Sequence, residues 1–205
     1  KTYSPDELRA FESDIKECFL RGEIRTPVHL VGGNEDQLIG VFKDILPDDW
    51  VFSTYRSHYH ALLKGVPAEQ LKRDILTGKS MHINSRDPRF FSSAIVVVCL
   101  PIAVGVAMAI QRKGLSDWVW VFVGDMSAET GSFSECYRYA SWHNLPISFP
   151  IEDNGFSVNT PTMESCGRDI PAPDYVRKGN LIGKERIKYD RTYPHQGVGQ
   201  WVDFK

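Results

Sequence analysis

The sequence contains no long run of basic or acidic residues and no long apolar segment. Its 24 lysines and arginines and 26 aspartates and glutamates give a net charge of −2. This balance does not favour nucleic acid or an anionic membrane surface as the main partner. The longest apolar stretch, residues 94–102, is far shorter than the roughly 20 residues that a membrane-spanning helix needs. We therefore expect neither kind of partner.

Cysteine is scarce as well. The four cysteines, at positions 18, 99, 136 and 166, form no CxxC pair and no metal-ligand spacing. This pattern is typical of free, buried thiols in a reducing compartment. The first residues, Lys1-Thr2-Tyr3-Ser4-Pro5, lead directly into a charged helix rather than into the apolar core of a signal peptide. Together these observations predict a cytoplasmic location.

Alternating helix and strand patterns predict an α/β fold. Helical spacing of apolar residues covers 5–21, 34–45, 61–63, 67–76, 101–112 and 127–143, and short buried strands are predicted at 50–52, 118–123 and 147–152. Residues 77–93 are rich in turn formers and are predicted to be a loop. A strand, a helix and a strand within 118–152 form a parallel crossover unit. We expect one three-layer α/β/α domain over residues 1–205, with a mainly parallel sheet.

Two polar residues follow the two strands of this crossover unit. Asp125 comes after the run Val119–Val123, and Asn154, 29 residues later, comes after Ile147–Ile151. Ligands bind beyond the carboxyl ends of parallel strands, so both side chains are expected in the same crevice. A carboxylate and an amide oxygen are hard ligands that suit Mg²⁺ held against a diphosphate. Ser127 is predicted to open the next helix, which would leave N–H groups near 126–128 free for phosphate.

Further motifs accompany this pair in order along the chain: His29 before Gly32-Gly33-Asn34-Glu35, Tyr55-Arg56, Gly78-Lys79-Ser80-Met81-His82, Pro101-Ile102-Ala103-Val104-Gly105 and Gly124-Asp125-Met126. They resemble the alpha subunit of thiamine-diphosphate-dependent 2-oxoacid dehydrogenases, the decarboxylating first component of the pyruvate, branched-chain and acetoin complexes. The resemblance covers most of residues 20–160, taken as the core. Residues 160–205 are then a shortened C-terminal extension.

The resemblance implies a thiamine-diphosphate-binding domain and a role for individual residues. Asp125, Asn154 and the carbonyl of Phe156 would be the protein ligands of Mg²⁺. The expected cofactor contacts are Tyr55, Arg56, Val96, Gly124, Asp125, Met126, Ser127, Asn154, Phe156, Arg191 and His195. His29, His58 and His195 are the candidates for catalytic proton transfer, with His82 as a further histidine near the same motifs.

Thiamine chemistry needs an anchored diphosphate and a carboxylate that activates the aminopyrimidine. By resemblance this chain supplies the anchor, and the activating glutamate comes from a second domain for which 205 residues leave no room. We therefore expect a beta-type partner subunit in an α2β2 assembly, with the small-residue helix 101–112 as a candidate contact surface. The expected substrate is a small 2-oxoacid, and the acceptor is a lipoyl carrier or another acyl acceptor.

The chain departs from the family pattern at several positions. Met126 replaces the second glycine of the Gly-Asp-Gly motif, and Pro150 lies inside a predicted central strand. Ser92 and Ser93 stand where glycines are frequent, and a βα unit is reduced to residues 160–187. Two other functions stay open: a transketolase-like or acyloin-forming ketol or acyl transferase subunit, and a non-catalytic structural subunit that has lost cofactor binding.

Overall fold

The computed structural model describes residues 3–166 and 186–195. Helices in these ranges are α1 (Pro5–Leu20), α2 (Glu35–Phe42), α3 (His58–Lys64), α4 (Ala68–Asp74, continued by a π-helical turn at Ile75–Lys79), α5 (Cys99–Lys113), α6 (Asp125–Ala128), α7 (Gly131–Trp142) and α8 (Thr162–Cys166). The strands are β1 (Trp50–Ser53), β2 (Asn84–Ser85), β3 (Phe90–Ser92), β4 (Val119–Val121), β5 (Val123–Gly124), β6 (Ile147–Ser148), β7 (Ile151–Asp153), β8 (Phe156–Ser157), β9 (Thr160–Pro161) and β10 (Arg186–Lys188).

Helix α1 begins where its capping residues predict. The Ser4 hydroxyl accepts from the Glu7 N–H at 3.2 Å, and the Glu7 carboxylate accepts from the Ser4 N–H at 2.9 Å. This capping box satisfies N–H groups that the first turn leaves free, and Pro5 at the first position needs no partner. The inner face carries Leu8 and Ile15, both fully buried, so α1 is part of the core.

The sheet is mainly parallel and consists of two ladders that prolong each other. The first has the order β2-β3-β1-β4-β6, with β2 antiparallel to β3, and the second is β10-β7-β5. Strands β4 and β5 follow one another on the chain, as do β6 and β7. The Phe122 N–H donates to the Phe52 carbonyl at 2.9 Å, and the Val123 N–H donates to the Pro150 carbonyl at 3.0 Å. These bonds join the two ladders.

Helices cover both faces of this sheet. Neighbouring strand residues point to opposite faces, so Val51 and Phe122 enter one hydrophobic cluster while Phe52 and Val121 enter the other. The first cluster contains buried residues of α1, α2, α3 and α4, and the second contains buried residues of α5, α6 and α7. This arrangement confirms the predicted α/β/α fold with a mainly parallel sheet.

The prediction of a loop at residues 77–93 is wrong in part. This range contains β2 and β3, and β3 pairs in parallel with β1 through Phe91 and Phe52. The apolar pair Phe90-Phe91 is too short to give an alternating pattern, and the residues around it are typical of turns. Burial in the sheet interior, which is a tertiary effect, decides its conformation.

Three elements predicted as continuous are each divided in two. Strand 118–123 breaks at Phe122, and strand 147–152 breaks at Phe149-Pro150. The second break follows from Pro150, which has no N–H to donate to a ladder. Helix 127–143 breaks after Ala128 and restarts at Gly131. The Thr130 hydroxyl accepts from the Phe133 N–H at 3.2 Å and caps the second helix.

The cysteines are free, and Cys18 and Cys99 are buried as predicted. The same prediction is wrong for Cys166, which is exposed because α8 is a short surface helix, and Cys136 is half-buried. Within the described residues, no helix combines the length and the apolar character needed to cross a bilayer. Much of the predicted C-terminal extension, namely 167–185 and 196–205, lies outside the described residues.

Candidate functional site

Asp125 and Asn154 lie at one edge of the sheet. Strands β5 and β7 pair in parallel with Gly124 opposite Glu152, and the two polar residues come at or just beyond the carboxyl ends of these strands. Parallel strands bring their carboxyl ends to the same edge, where α/β proteins bind ligands. The structure therefore brings together the pair that the sequence places after neighbouring strands.

A cavity of about 180 Å³ opens at this edge. Nine of the residues expected to contact a cofactor line it: Tyr55, Arg56, Val96, Gly124, Asp125, Met126, Ser127, Asn154 and Phe156. Thr54, Glu152, Ser157, Val158 and Tyr189 complete the described lining. Segments far apart in the sequence thus meet around one space.

Two charged side chains in this cavity are buried without full hydrogen bonding. Asp125 is 3% exposed, and although its Oδ1 accepts from the Met126 N–H at 2.8 Å, its Oδ2 has no hydrogen-bond partner. Arg56 is 7% exposed, and its Nε and Nη1 have no partner. Burial of unpaired charges is costly unless a ligand completes them. A carboxylate and a guanidinium on one cavity suit a ligand that carries both a cation and an anion.

The charge of Asp125 depends on its neighbours. Burial raises its pKa to about 6, the Met126 N–H opposes this shift, and the nearby Asp153 carboxyl adds to it. Burial also raises the pKa of Asp153, but the hydrogen bond from Arg186, at 2.6 Å, and the nearby Asp125 carboxyl outweigh it, so the net shift is downward. A bound cation would remove the conflict between these two carboxyls.

The oxygen atoms at this edge fit a hard metal ion. Asn154 Oδ1 accepts from the Phe156 N–H at 2.9 Å and retains a second lone pair. Pro161 faces Phe156 in the β8–β9 hairpin and has no N–H for the Phe156 carbonyl. Among the described residues, no group of three or more His, Cys, Asp or Glu could hold a metal. A metal here would depend on Asp125, Asn154, the Phe156 carbonyl and oxygens of the ligand.

Two predicted histidines lie beside the cavity. The His29 Nδ1 donates to the His195 carbonyl, and the His29 ring centre lies 4.6 Å from that of Tyr55. A carbonyl only accepts, so Nδ1 carries the proton and Nε2 is free to accept one. Burial, more than the charges of His195, Arg56 and His58, lowers the pKa of His29 to about 4. Burial and the charges of Arg56 and Arg191 lower the pKa of His195 as well.

Arg191, a predicted cofactor contact, is not among the described lining residues and is engaged by protein groups. Its guanidinium lies 4.1 Å from the Phe156 ring centre, and its Nη1 donates to the Val158 carbonyl at 2.6 Å. Asn159 Oδ1 accepts from both Arg191 and the His195 N–H. Arg191 therefore ties the segment 191–195 to the hairpin that carries Phe156.

His58 is not brought to this cavity. Its side chain is fully buried, its Nε2 lies 2.9 Å from Ser80 Oγ, and its Nδ1 lies 3.6 Å from Glu12 Oε1. This environment fits a structural histidine rather than one that contacts a substrate. His82 is exposed and is not part of the described lining. The sequence could not separate these cases, because histidine burial depends on tertiary packing.

The predicted helix start at Ser127 is also wrong. Helix α6 begins at Asp125, and the Met126 N–H is already taken by the Asp125 carboxylate. This helix has only four residues, so its dipole is small. Anion binding at this edge must therefore depend mainly on side chains, above all Arg56.

Glu152 and Tyr189 are cavity residues that the sequence did not reveal. Glu152 Oε1 accepts from Asn34 Nδ2 at 2.9 Å, and its Oε2 lies 3.3 Å from His60 Nε2. The Tyr189 hydroxyl lies 3.5 Å from Asn154 Nδ2, and burial is the main cause that raises its pKa. Glu152 lies two residues before Asn154, so an extended strand points both side chains to the same side, and the sequence therefore carries a signal for it. No local pattern indicates Tyr189.

Comparison with known proteins supports the resemblance. A family model for the dehydrogenase E1 component matches residues 3–175. Subunit alpha-3 of the chloroplastic pyruvate dehydrogenase E1 component of Arabidopsis thaliana is 29% identical over 198 residues, 89% of this chain and 45% of that one. Subunit alpha of the acetoin:2,6-dichlorophenolindophenol oxidoreductase of Cupriavidus necator is 31% identical over 210 residues, 95% of this chain and 61% of that one.

Among solved structures, one from Mycobacterium smegmatis described as a thiamin diphosphate-dependent enzyme shares 20% identity at a TM-score of 0.41, over 58% of this chain and 20% of that chain. The chain spans about half the length of the curated relatives that it matches.

Proposed function

The chain belongs to the dehydrogenase E1 component family, and we propose that it is the alpha-type subunit of a thiamine-diphosphate-dependent enzyme. In this proposal it anchors the Mg²⁺-diphosphate of the cofactor, and the enzyme decarboxylates or cleaves a 2-oxoacid and transfers the acyl or aldehyde unit. The observation that carries the proposal is the pair of incompletely bonded, buried charges, Asp125 and Arg56, in one cavity.

Each proposed anchor residue has a separate task. Asp125 and Asn154 would hold Mg²⁺ through their side-chain oxygens, together with the Phe156 carbonyl. Arg56, with two unpaired nitrogens, would bind phosphate oxygens by charge-assisted hydrogen bonds, and the Tyr55 hydroxyl would donate another. The exposed Val96 at the cavity would contact the apolar part of the cofactor, with its backbone carbonyl near the aminopyrimidine.

Bound thiamine diphosphate supplies the electron sink for breaking the bond next to a 2-oxo group. The residues of this chain would then handle protons and exclude water. His29 has a free Nε2 and a low pKa, so it is neutral at pH 7 and can accept a proton from a substrate atom. His195, beside Tyr55, would bind the substrate carboxylate or share this proton transfer.

A beta-type subunit completes the active site in this proposal. It would supply the glutamate that activates the aminopyrimidine, in an α2β2 assembly. The part of α5 that carries Ile102, Gly105 and Ala109 is exposed and available for such a contact. If the proposal holds, the purified chain alone has no turnover of pyruvate. Full thiamine-dependent turnover by the chain alone would contradict the need for a partner.

The competing function of a structural subunit without cofactor makes a different demand on the cavity. Such a subunit has no use for a buried arginine and a buried carboxylate that both have unpaired atoms in one cavity, since replacing both by apolar groups would stabilise the fold. The choice between pyruvate and acetoin chemistry concerns the substrate, because the two relatives named above differ there. Product analysis of the reconstituted enzyme with each substrate would decide between them.

A titration of the chain with thiamine diphosphate, followed by calorimetry, tests the anchor directly. Binding should require Mg²⁺ and should be at least about tenfold weaker for thiamine, which lacks the diphosphate that Arg56 and the metal contact. Inorganic diphosphate with Mg²⁺ should compete. Equal binding of thiamine and thiamine diphosphate, or no Mg²⁺-dependent binding of either, would overturn the proposal.

A further inference from the structure

The segment 29–33 connects His29, and through it His195, to the rest of the fold. Its carbonyls at Val31 and Gly32 accept from the Thr192 N–H at 3.3 Å and 3.1 Å. At its start, His29 contacts His195 and Tyr55. Any movement of this segment would therefore move the His29 imidazole and its partner segment together.

Two buried glutamates hold the backbone of this segment. Both oxygens of Glu12, on α1, accept from the Val31 N–H at 3.2 Å and 3.0 Å. Both oxygens of Glu35, on α2, accept from the Gly33 N–H at 3.1 Å. Glu12 is 1% exposed and Glu35 is 3% exposed. We name this pair of glutamates the segment clamp.

Other buried groups support the segment clamp. The Tyr59 hydroxyl donates to Glu35 Oε1 at 3.1 Å, and Arg9 lies 3.5 Å from Glu35 Oε2. His58, fixed by Ser80, lies 3.6 Å from Glu12 Oε1. His58 thus belongs to the support of Glu12 rather than to the cavity.

Burial of the two clamp carboxylates destabilises the fold, so a fixed position of the segment 29–33 is the gain that would explain them. Transfer of a carboxylate out of water costs several kcal/mol, which hydrogen bonds only partly return. The Val31 N–H is itself buried and needs an acceptor, but a neutral acceptor would serve it without burying a charge. Helices α1 and α2 both contribute to the first hydrophobic cluster, and each places a buried carboxylate against a backbone N–H of the segment 29–33. The two N–H groups belong to Val31 and Gly33, which are two residues apart.

The facing segment leaves little room for adjustment. A Cβ on Gly32 would lie 2.6 Å from the Thr192 Cβ, and one on Gly33 would overlap the Asp190 carbonyl. Both glycines also have positive φ angles, of 59° and 98°. The segment 29–33 is therefore confined between the clamp on one side and residues 190–192 on the other.

We propose that Glu12 and Glu35 are positioning residues, which fix the segment 29–33 and thereby hold the His29 imidazole against the His195 carbonyl with Nε2 free. The importance of His29 in proton transfer rests on the proposed function. The positioning itself does not, because it concerns contacts within the chain. Glu12 and Glu35 lie outside the described cavity lining and act through His29.

The test is the pKa of His29, measured by NMR in the full chain without cofactor. Its resonance is assigned by comparison with His29→Gln. In the wild type this pKa should lie near 4, and in Glu12→Met it should rise by at least about one unit toward the ordinary value near 6.5, because the ring loses its buried position. Glu17→Met, on the exposed face of the same helix, is the matched control and should leave the pKa unchanged.

The direction of the shift separates positioning from electrostatics. If the His29 ring stayed in place, loss of the negative charge of Glu12 would leave the pKa of His29 unchanged or lower it. The protonated imidazole is less stable when a nearby negative charge is removed. The positive groups facing His29, namely Arg56, and His58 and His195 when protonated, remain in the variant. Glu12→Gln, which keeps an acceptor oxygen for the Val31 N–H, should restore a pKa near the wild-type value.

An unchanged or lower His29 pKa in folded Glu12→Met would overturn the proposal. If Glu12→Met does not fold, amide exchange in the wild type decides. The Val31 and Gly33 N–H groups should then have protection factors at least about 100-fold larger than the N–H of exposed Arg25 on the loop after α1, and equal protection would overturn the proposal. Failure of thiamine diphosphate to bind the wild type would refute the proposed function but would leave these results intact.

Discussion

Asp125 and Glu12 are two carboxylates of nearly equal burial with opposite surroundings. Asp125 is 3% exposed and has one oxygen without a partner, whereas Glu12 is 1% exposed and both of its oxygens accept from the Val31 N–H. Burial alone therefore does not distinguish a ligand site from a structural support. Unfilled hydrogen-bonding capacity on a charged group that lines a cavity does, because a buried charge without a partner is costly for the fold unless a ligand completes it.

The same contrast applies to two arginines. Arg56, at the cavity, is 7% exposed with unpaired Nε and Nη1, while the Arg9 side chain is 50% exposed and contacts Asp6 and Glu35. Arg9 is explained by its ion pairs with Asp6 on the surface and with Glu35 of the segment clamp. Arg56 has unpaired nitrogens that a ligand could complete, and it lines the same cavity as Asp125, whose Oδ2 is also unpaired.

The largest effect is expected from Asp125→Asn. This change keeps the shape and the bond to the Met126 N–H but removes the charge that would hold Mg²⁺, so affinity for Mg²⁺-thiamine diphosphate should fall at least about 100-fold. Calorimetric titration measures it. Asp14→Asn, which alters a surface acid paired with Lys72, should leave the affinity unchanged. Equal affinity of wild type and Asp125→Asn would remove the distinction between the two carboxylates.

The next effect concerns His29, which joins the cavity to the segment clamp. Its pKa near 4 lies below the ordinary value near 6.5, mainly because of burial, so the unfolded chain takes up this proton first as the pH falls. The free energy of unfolding should therefore drop between pH 6.5 and pH 4, on the order of 2–3 kcal/mol, and this contribution should be absent below pH 4.

Urea denaturation across that pH range measures the His29 contribution. His29→Gln should remove this part of the pH dependence. His82→Gln, which alters an exposed histidine, should keep it. A wild-type slope that survives in His29→Gln would show that the ring is not held in its buried position.

Arg56→Met should weaken binding of Mg²⁺-thiamine diphosphate by about 10–100-fold, because charge-assisted bonds to phosphate are worth roughly 1.5–3 kcal/mol. It should not destabilise the free chain, since two guanidinium nitrogens lack partners there. Arg9→Met is the control that removes a guanidinium already paired with protein acids, and binding should be insensitive to it. A larger loss of binding in Arg9→Met than in Arg56→Met would reverse the assignment.

Stability should give the opposite ranking of the two carboxylates. Glu12→Met leaves the Val31 N–H buried without an acceptor and should lower the free energy of unfolding by about 1–3 kcal/mol. Asp125→Asn replaces an unpaired charge and should change it by less than about 0.5 kcal/mol or raise it slightly. Chemical denaturation of both variants in the same buffer measures the difference, which should vanish if both acids are structural.

The sequence predicts the parts of the site that follow readable strands. Asp125 and Asn154 come directly after apolar runs, so their common edge follows from the rule for parallel strands. It also predicts the start of α1, because the capping residues Ser4 and Glu7 act locally. Strand β3 is not predictable in this way, because two phenylalanines among turn formers give no period, although the sheet buries Phe90 and half-buries Phe91.

The remaining errors concern tertiary contacts. His58 and His29 are both histidines within recognisable motifs, and only packing shows that one supports Glu12 while the other lies beside the cavity. Tyr189 reaches Asn154 across 35 residues, and no local pattern encodes that contact. The sequence likewise does not indicate the segment clamp, since Glu12 is one of several acids on an amphipathic helix and only its 1% exposure distinguishes it.

The most direct measurement of the central claim locates the metal. Mn²⁺ replaces Mg²⁺ in many carboxylate sites and broadens NMR signals of nearby amides, so the full chain is titrated with Mn²⁺ in the presence of thiamine diphosphate. We expect selective broadening of the amides of Met126, Asn154 and Phe156, with the Val31 and Gly33 amides that contact the segment clamp far less affected. Broadening centred on Glu12 and Glu35, or uniform over the chain, would contradict it.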